Sequence, residues 1–174
     1  MSIATRTGDC GQTRLLFNRT VSKCHPRVEA CGSVDELTSA LGLARAAQPP
    51  PAIQQSIEII QQQLIRLMGE LAAVEEDRAR FDQAGFRPVD SAMIDQLDGW
   101  IQEFEPRLGP SQGWALPGAN PSSAALDFAR STCRRAERRV CALLESGQIA
   151  SPSPLVYLNR LSDVLWIFAR FAAH

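Results

Sequence analysis

Residues 53–74 read IQQSIEIIQQQLIRLMGELAAV and carry the strongest structural signal in this sequence. Apolar side chains recur there at alternating steps of four and three residues, which is the period of one face of an α-helix. The repeating positions are Ile53, Ile57, Ile60, Leu64, Leu67, Leu71 and Val74. Three such heptads give a continuous apolar seam that suits packing against other helices at a shallow crossing angle. The stretch therefore predicts a long bundle helix.

The segment before this helix predicts another, and the run Gln48-Pro-Pro-Pro51 separates the two. Pro26 suits a first helical turn, because it lacks the N–H that such a position leaves unbonded. Apolar residues then follow at helical steps: Val28, Cys31, Val34, Leu37, Leu41 and Ala44. A start at Ser33 is the alternative, since Ser33 and Glu36 have the spacing of a capping box.

Two loops and a shorter helix follow the seam. Residues 76–88 are charged and contain glycine and proline, which predicts a loop. Asp90 can cap a helix that ends before Pro106 and carries Ile94, Leu97, Ile101 and Phe104. Residues 105–120 are rich in glycine and proline and predict a second loop.

The last third of the chain predicts two more long helices. Asn120-Pro121 supplies an N-cap and a first-turn proline, and the helix runs to about Glu145 before Gly147 stops it. Ser153-Pro154 opens the final helix, whose apolar positions are Leu155, Leu158, Leu161, Leu165, Phe168 and Ala172. No strand-like alternation is evident, so the expected fold is all-α, a ferritin-like, up-down bundle of about five helices.

Length and composition limit the class of protein. The 174 residues fit one domain, 1–174, with an extended arm over 1–25 and the bundle over 26–174. A net charge of −1 gives no broad basic field for nucleic acid, and no apolar run is long enough to span a membrane. Met1 is followed by no apolar signal segment, and the five cysteines form no CxxC pair, so we expect reduced thiols in the cytoplasm and no cysteine-bound metal.

The arm contains a stretch suited to phosphate, Thr5-Arg-Thr-Gly-Asp-Cys-Gly-Gln-Thr13. Its glycines, Gly8 and Gly11, permit a tight backbone whose N–H groups can approach an anion. Its hydroxyl donors are Thr5, Thr7 and Thr13, and Lys23 adds a positive charge downstream. The stretch is not a Walker A loop. An ordinary extended or strand-like arm with an exposed lysine is the alternative.

The helix after Asn120 has an arginine-rich face. Arg130, Arg134 and Arg138 recur every four residues and share that face with Asp127 and Glu137. Arg135 and Arg139 lie to one side, and the opposite face carries Phe128, Thr132, Ala136, Val140 and Leu143. Guanidinium groups match phosphate oxygens, and a carboxylate can orient them. The alternative is a solvated face with i,i+3 and i,i+4 ion pairs.

The final helix carries a polar stripe on an otherwise apolar segment. The stripe consists of Asn159, Ser162, Asp163, Trp166 and Arg170. These polar groups need partners if they are buried, and the arginines of the preceding helix are the nearest candidates. We expect Asp163 to pair with one of those arginines, and Asn159 to contact a ligand. A purely structural polar network is the alternative. Asp35, in the first helix, is a surface acid or the partner of an arginine across an interface.

Five segments together resemble the PduO-type ATP:cob(I)alamin adenosyltransferases, over nearly the whole chain. They are TRTGDCGQT (5–13), RVEACGSVDEL (27–37), LPG (116–118), ARSTCRRAER (129–138) and LNRLSD (158–163). The resemblance implies a cobalamin adenosyltransferase-like trimer of five-helix bundles that binds ATP between neighbouring subunits. It implies transfer of the 5′-deoxyadenosyl group of ATP to the cobalt of cob(I)alamin, with Mg²⁺ accompanying the triphosphate.

The resemblance also assigns residues to each substrate. It implies an ATP site made of Thr5, Arg6, Thr7, Gly8, Thr13, Lys23, Arg134, Arg135, Glu137, Arg138 and Asn159. It implies that Asp35 pairs with Arg130 across the subunit boundary near the corrinoid, and that Trp114 lies against the lower face of the corrin ring. No acid, base or protein metal ligand is implied; Arg134, Glu137 and Asn159 would position the substrates. A corrinoid reductase and an adenosylcobalamin-dependent enzyme are the implied protein partners.

Three residues depart from the family pattern. Ala119 replaces a usual glycine, Cys31 a frequent tyrosine and Trp114 a frequent phenylalanine. Two alternatives to the enzyme remain at this stage. One is a protein of the same fold that binds and hands on ATP or adenosylcobalamin without catalysis, and the other is a structural bundle without ATP affinity.

Overall fold

The computed structural model describes residue 4 and the ranges 6–109 and 114–173. Five long helices dominate it, and a sixth, short helix joins two of them. The helices are α1 Pro26–Ala46, α2 Pro51–Leu71, α3 Arg78–Gln83, α4 Ser91–Phe104, α5 Pro121–Glu145 and α6 Ser153–Phe171. In these ranges, no helix is both long enough and apolar enough to cross a membrane. The predicted all-α bundle of five main helices is confirmed.

The seam of α2 lies in the core, as its period predicts. Its six positions from Ile53 to Leu71 are fully buried, whereas Val74 follows the helix end and is only partly buried. In the bundle α5 packs between α1 and α6, while α2 packs on α1 and α4 on α6. The apolar faces of all five long helices meet in one core.

The predicted helix ends are confirmed by their caps. The first helix begins at Pro26, not at Ser33, and His25 caps it by accepting a hydrogen bond from Arg27 N at 3.1 Å. Asp90 caps α4 by accepting from Met93 N at 3.1 Å, and Asn120 caps α5 by accepting from Ser123 N at 2.9 Å. These side chains bond N–H groups that the first helical turn leaves unpaired.

Two segments predicted as loops contain regular structure. The arm forms an antiparallel hairpin of β1 Gln12–Arg14 and β2 Thr20–Ser22, with Thr13 opposite Val21. The prediction of no strand is therefore wrong for these six residues, because three-residue strands are too short to show an alternation. The segment 76–88 contains α3, whose Phe81 is buried and stacks on Phe86 at 5.1 Å between ring centroids. Tertiary contact with this aromatic pair holds a helix too short to be stable alone.

A buried arginine joins three parts of the bundle. The guanidinium of Arg27 donates to Leu71 O and Ala73 O, both at 2.7 Å, and to Gln148 O. Burial lowers the pKa of Arg27, although nearby Glu75 partly offsets that effect. The side chain thereby satisfies carbonyls at the end of α2 and in the α5–α6 connection.

Candidate functional site

A groove between α5 and α6 brings together four of the residues predicted to bind a nucleotide. Its volume is about 390 Å³, and its lining consists of Arg134, Glu137, Arg138, Cys141, Leu155, Val156 and Asn159. The polar side comes from α5, and Leu155 and Val156 supply an apolar wall from α6. A groove with cations on one wall and apolar groups on the other suits a ligand that has both an anionic and a flat, apolar part.

A hydrogen bond across this groove sets the positions of two predicted residues. Asn159 Nδ2 donates to Glu137 Oε1 at 3.0 Å, although the two residues belong to different helices. Glu137 follows Arg134 by three positions on α5, so the carboxylate lies on the same face as that arginine. The arrangement holds a carboxylate, an amide and guanidinium groups on one surface.

The arginines of α5 divide into paired and unpaired groups. Arg135 pairs with Glu36, and Arg139 lies 3.1 Å from Glu29 Oε1. Across the residues that the structure describes, Arg134 and Arg138 form no ion pair, and both side chains are exposed. The alternative of a solvated face with i,i+3 and i,i+4 ion pairs is therefore only partly met by these two residues, which are solvated but form no such pair in the described structure. Their donors remain available to an anion.

The arm forms a second hollow, of about 320 Å³, around its hairpin. The lining consists of Thr7, Gly8, Gln12, Thr13, Arg14 and Thr20. A Cβ placed on Gly8 would lie 3.0 Å from Lys23 Nζ, so the absence of a side chain lets the lysine amine approach the loop. Arg6 is exposed and adopts φ 57° at the start of this loop. Thr5 lies outside the described residues.

The structure separates Arg135 from the other predicted nucleotide ligands. Arg135 lines a different groove, of about 510 Å³, between α1 and α5, together with Asp35, Leu43, Phe128 and Thr132. Phe128 was predicted on the apolar face, but it is 56% exposed because it lies at the edge of that face, towards solvent. The groove combines exposed apolar side chains with acids and one arginine.

The predicted Asp35–Arg130 pair does not form within the described part of a single chain. Arg130 Nε instead lies 3.8 Å from Asp127 Oδ1, and it is buried without a hydrogen-bond partner there. Asp127 is buried and also pairs with Arg170 from α6. The expected pairing of Asp163 with an arginine of α5 is wrong, because its carboxylate lies 3.7 Å from Arg160, one turn away on α6.

Trp114 begins the described part of the loop before α5 and is 97% exposed. Leu116, two residues later, is 84% exposed, so this loop presents two large apolar side chains to solvent. Within the part of the chain that the structure describes, neither side chain is buried, so both are available to a ligand or to another molecule.

The three thiols of the bundle helices are poor nucleophiles. Burial raises the pKa of Cys31 to about 11 and raises that of Cys133 further, and Cys133 Sγ donates to Leu158 O at 3.3 Å. Burial and then Glu145 raise the pKa of Cys141, which lines the α5–α6 groove. These thiols are protonated at neutral pH, whereas nucleophilic catalysis needs a thiolate. Within the described ranges, no three histidine, cysteine or acidic residues cluster as metal ligands would.

Sequence reasoning missed several residues that line these hollows. Gln12, Arg14 and Thr20 become neighbours only through the hairpin, where Arg14 lies opposite Thr20. The local sign of a strand here is that the polar residues Gln12 and Arg14 alternate with Thr13. This sign is weak, because a strand of three residues is too short to establish an alternation. Leu155 was predicted only as an apolar position of the last helix and Val156 was not singled out, yet both form the apolar wall of the α5–α6 groove.

The fold and these hollows define a helical-bundle protein with a surface suited to a polyphosphate. Comparison with known proteins then identifies the family. A sequence profile for cobalamin adenosyltransferases matches residues 3–172, and the chain belongs to that family. The resemblance inferred from the five sequence segments is confirmed.

Individual relatives agree with this assignment. The chain is 42% identical to the corrinoid adenosyltransferase PduO of Citrobacter freundii, over 100% of this chain and 50% of that protein. It thus spans about half the length of the PduO relatives it matches. It is 36% identical to a corrinoid adenosyltransferase of Mycobacterium leprae, over 98% of this chain and 90% of that protein.

A solved structure shows the same fold. It is a variant of the PduO-type ATP:corrinoid adenosyltransferase from Lactobacillus reuteri, complexed with cobalamin and ATP. The TM-score is 0.88 at 31% identity, with 99% of this chain and 93% of that chain covered.

Proposed function

We propose that this protein transfers the 5′-deoxyadenosyl group of ATP to the cobalt of cob(I)alamin. The observation that carries the proposal is the α5–α6 groove, where Arg134 and Arg138 lie beside the Asn159–Glu137 hydrogen bond and form no ion pair with any residue that the structure describes. The relatives are named corrinoid adenosyltransferases, and the related Lactobacillus reuteri enzyme was solved with both cobalamin and ATP. Both observations favour ATP and a reduced corrinoid as the substrates.

The reaction needs no protein nucleophile. The electron pair of Co(I) attacks the 5′ carbon of ATP, a Co–C bond forms, and the C–O bond to triphosphate breaks. The Co(I) pair becomes the Co–C bond, and the triphosphate leaves with the two electrons of the broken C–O bond and gains negative charge at the departing oxygen. Arg134 and Arg138 stabilise this charge, while Glu137 and Asn159 help to position the nucleotide in the groove. Mg²⁺ would enter with the triphosphate, because its preferred ligands are phosphate oxygens, water and one or two carboxylates.

The nucleotide site is proposed to lie between subunits of a homotrimer. The arm hollow and the α5–α6 groove have linings that share no residue, so each alone offers only part of a polyphosphate site. In the proposed trimer, Thr5, Thr7, Gly8, Thr13 and Lys23 of one subunit would face the arginines of the next. Asp35 would likewise meet Arg130, whose buried Nε has no hydrogen-bond partner among the described residues of its own chain and lies 3.8 Å from Asp127 Oδ1.

The proposed setting is the cytoplasm, where all five cysteines would remain the free thiols that the structure shows. A corrinoid reductase would supply Co(I), because that state is required for attack on ATP. An adenosylcobalamin-dependent enzyme would consume the product.

Trp114 is proposed to contact the lower face of the corrin ring. Its exposed indole can exclude a lower axial ligand from cobalt, which makes Co(II) easier to reduce. We expect Trp114→Ala to lower turnover from Co(II) corrinoid about tenfold or more while it retains ATP binding. Leu116→Ala, which removes another exposed apolar side chain from the same loop, is the matched control. Equal turnover in Trp114→Ala and the parent protein would rule out this role.

The reaction itself is tested by absorbance spectroscopy. Purified protein, ATP and Mg²⁺ are mixed with chemically reduced cob(I)alamin, and light-sensitive adenosylcobalamin is followed. Product that is lost in Asn159→Ala supports both the reaction and the groove. Tight ATP binding without product would refute the enzyme and favour a carrier of the same fold, while no ATP binding would favour a structural bundle.

A further inference from the structure

One junction fastens the arm hairpin to the bundle, and it lies outside both hollows. Arg19, in the turn between β1 and β2, donates from Nε to Asp77 Oδ2 at 2.7 Å and from a terminal nitrogen to Oδ1 at 3.0 Å. This two-point contact is the geometry in which a guanidinium and a carboxylate fix each other's orientation. The Asp77 side chain is only 3% exposed, so the bundle itself holds the acceptor in place.

Further contacts surround this ion pair. Leu16 N donates to Ala72 O at 3.0 Å, at the end of α2, and Leu15 N donates to Arg19 O at 2.9 Å across the turn. The guanidinium of Arg80 lies 4.6 Å from the ring centroid of Phe17, and that ring meets Phe86 edge-on. The turn therefore has backbone, ionic and aromatic contacts with the segment 72–86.

The turn adopts a backbone that needs such support. Phe17 and Asn18 both have φ near 60°, at 58° and 62°, although neither is glycine. The left-handed region is unfavourable for a residue with a Cβ, above all a bulky one, and persists where the surroundings enforce it. Asp77 holds the Arg19 side chain, and the backbone of Arg19 is hydrogen-bonded to Leu15 and Leu16 at the start of the turn. These contacts restrict the backbone of the turn.

The same turn sets the position of the arm hollow. Arg14 and Thr20, paired across the hairpin, line that hollow, and Thr20 follows Arg19 directly. Any movement of Arg19 is thus transmitted through one peptide bond to a lining residue. The Arg19 side chain thus contacts Asp77, whereas the next residue, Thr20, lines the hollow.

We propose that Arg19 and Asp77 are positioning residues that anchor the arm hollow to the bundle and so set the affinity for the triphosphate of ATP. The inference rests on the proposed function for the identity of the ligand. The pair touches the bundle and the turn, not the hollow, and acts through the placement of the hairpin. The guanidinium also holds the pKa of Asp77 below its ordinary value, so the carboxylate remains charged at neutral pH.

The expected result for Arg19→Ala is a weaker ATP complex with little change in the chemical step. If the unanchored arm occupies its bound position in roughly 10–30% of molecules, the Kd and KM for ATP rise about 3- to 10-fold. The kcat and the KM for corrinoid stay within about twofold, because the α5–α6 groove is unaltered. Arg19→Lys keeps the charge but loses the two-point contact, so we expect an intermediate Kd.

The test combines calorimetry of Mg-ATP binding with hydrogen exchange of the full chain. Arg107→Ala is the matched control, because the Arg107 side chain is about as exposed as that of Arg19, pairs with an acid (Glu103 at 3.3 Å) and lies far from the arm in sequence. Faster exchange of the amides in 12–23 with a raised Kd in Arg19→Ala, but not in Arg107→Ala, supports the anchor. Unchanged Kd overturns it, as does a lower kcat at unchanged KM. Because binding and exchange need no turnover, absence of adenosylcobalamin in the parent protein would refute the proposed reaction alone.

Discussion

Arg134→Ala is expected to lower kcat for adenosylcobalamin formation by about 10²- to 10³-fold, the usual cost of removing one preorganised donor at a developing charge. In the described structure Arg134 has no ion pair, and it borders the groove that also contains Glu137, Arg138 and Asn159. Its guanidinium is therefore free to meet the departing triphosphate. The side chain is exposed, so truncation should leave the fold intact.

The comparison variant for this experiment is Arg139→Ala, on the same helix. Arg139 is similarly exposed, but it is 3.1 Å from Glu29 and does not line the α5–α6 groove. Initial rates with cob(I)alamin and saturating ATP should fall in Arg134→Ala and remain within about twofold in Arg139→Ala. Equal losses in the two variants would mean that general positive charge on α5, not the groove, controls the rate, and would contradict the proposed site.

Arg27→Ala is expected to lower the free energy of unfolding by about 2–4 kcal/mol, because it removes the guanidinium donor from the buried carbonyls of Leu71 and Ala73 and from the partly buried carbonyl of Gln148. The Arg27 side chain is buried, and so are its hydrogen bonds to Leu71 O and Ala73 O. Water can reach the Gln148 carbonyl more readily than the other two, so the three losses are not additive.

Urea unfolding followed by circular dichroism measures this effect. Arg45→Ala is the control, since Arg45 is exposed and its nearest acid, Glu58, is 4.0 Å away; its stability should change by less than about 0.5 kcal/mol. Arg27→Lys should recover only part of the loss, because one ammonium cannot reproduce the planar fork. A change below about 1 kcal/mol in Arg27→Ala would show that water replaces the guanidinium at little cost.

Much of the bundle could be predicted from local sequence, since its signals act over a few residues. Helical periods, first-turn prolines and the caps Asp90 and Asn120 depend on contacts within one or two turns. The short helix α3 escaped prediction because Phe81 stabilises it through packing on Phe86, and a charged segment gives no local sign of that contact.

The candidate site was predicted in its residue types and only partly in its arrangement. Arg134, Glu137, Arg138 and Asn159 were grouped by sequence and share one groove. Arg135 was grouped with them, but it faces α1 and pairs with Glu36, because one step along a helix turns a side chain by about 100°. Arg134 and Arg135 therefore face different neighbouring helices, and the packing of the bundle decides which helices those are.

Local sequence was enough to predict the all-α class, the five long helices with most of their ends, and the residue types suited to a polyphosphate. Those properties follow from spacing and from the chemistry of single side chains. The packing of the helices was needed to learn which arginines of α5 are ion-paired and which are not among the described residues, and that Arg19 bonds Asp77, 58 positions away. Such pairings depend on which helices become neighbours. The arrangement of the helices is stabilised by contacts throughout the core, so a short stretch of sequence cannot predict the pairings.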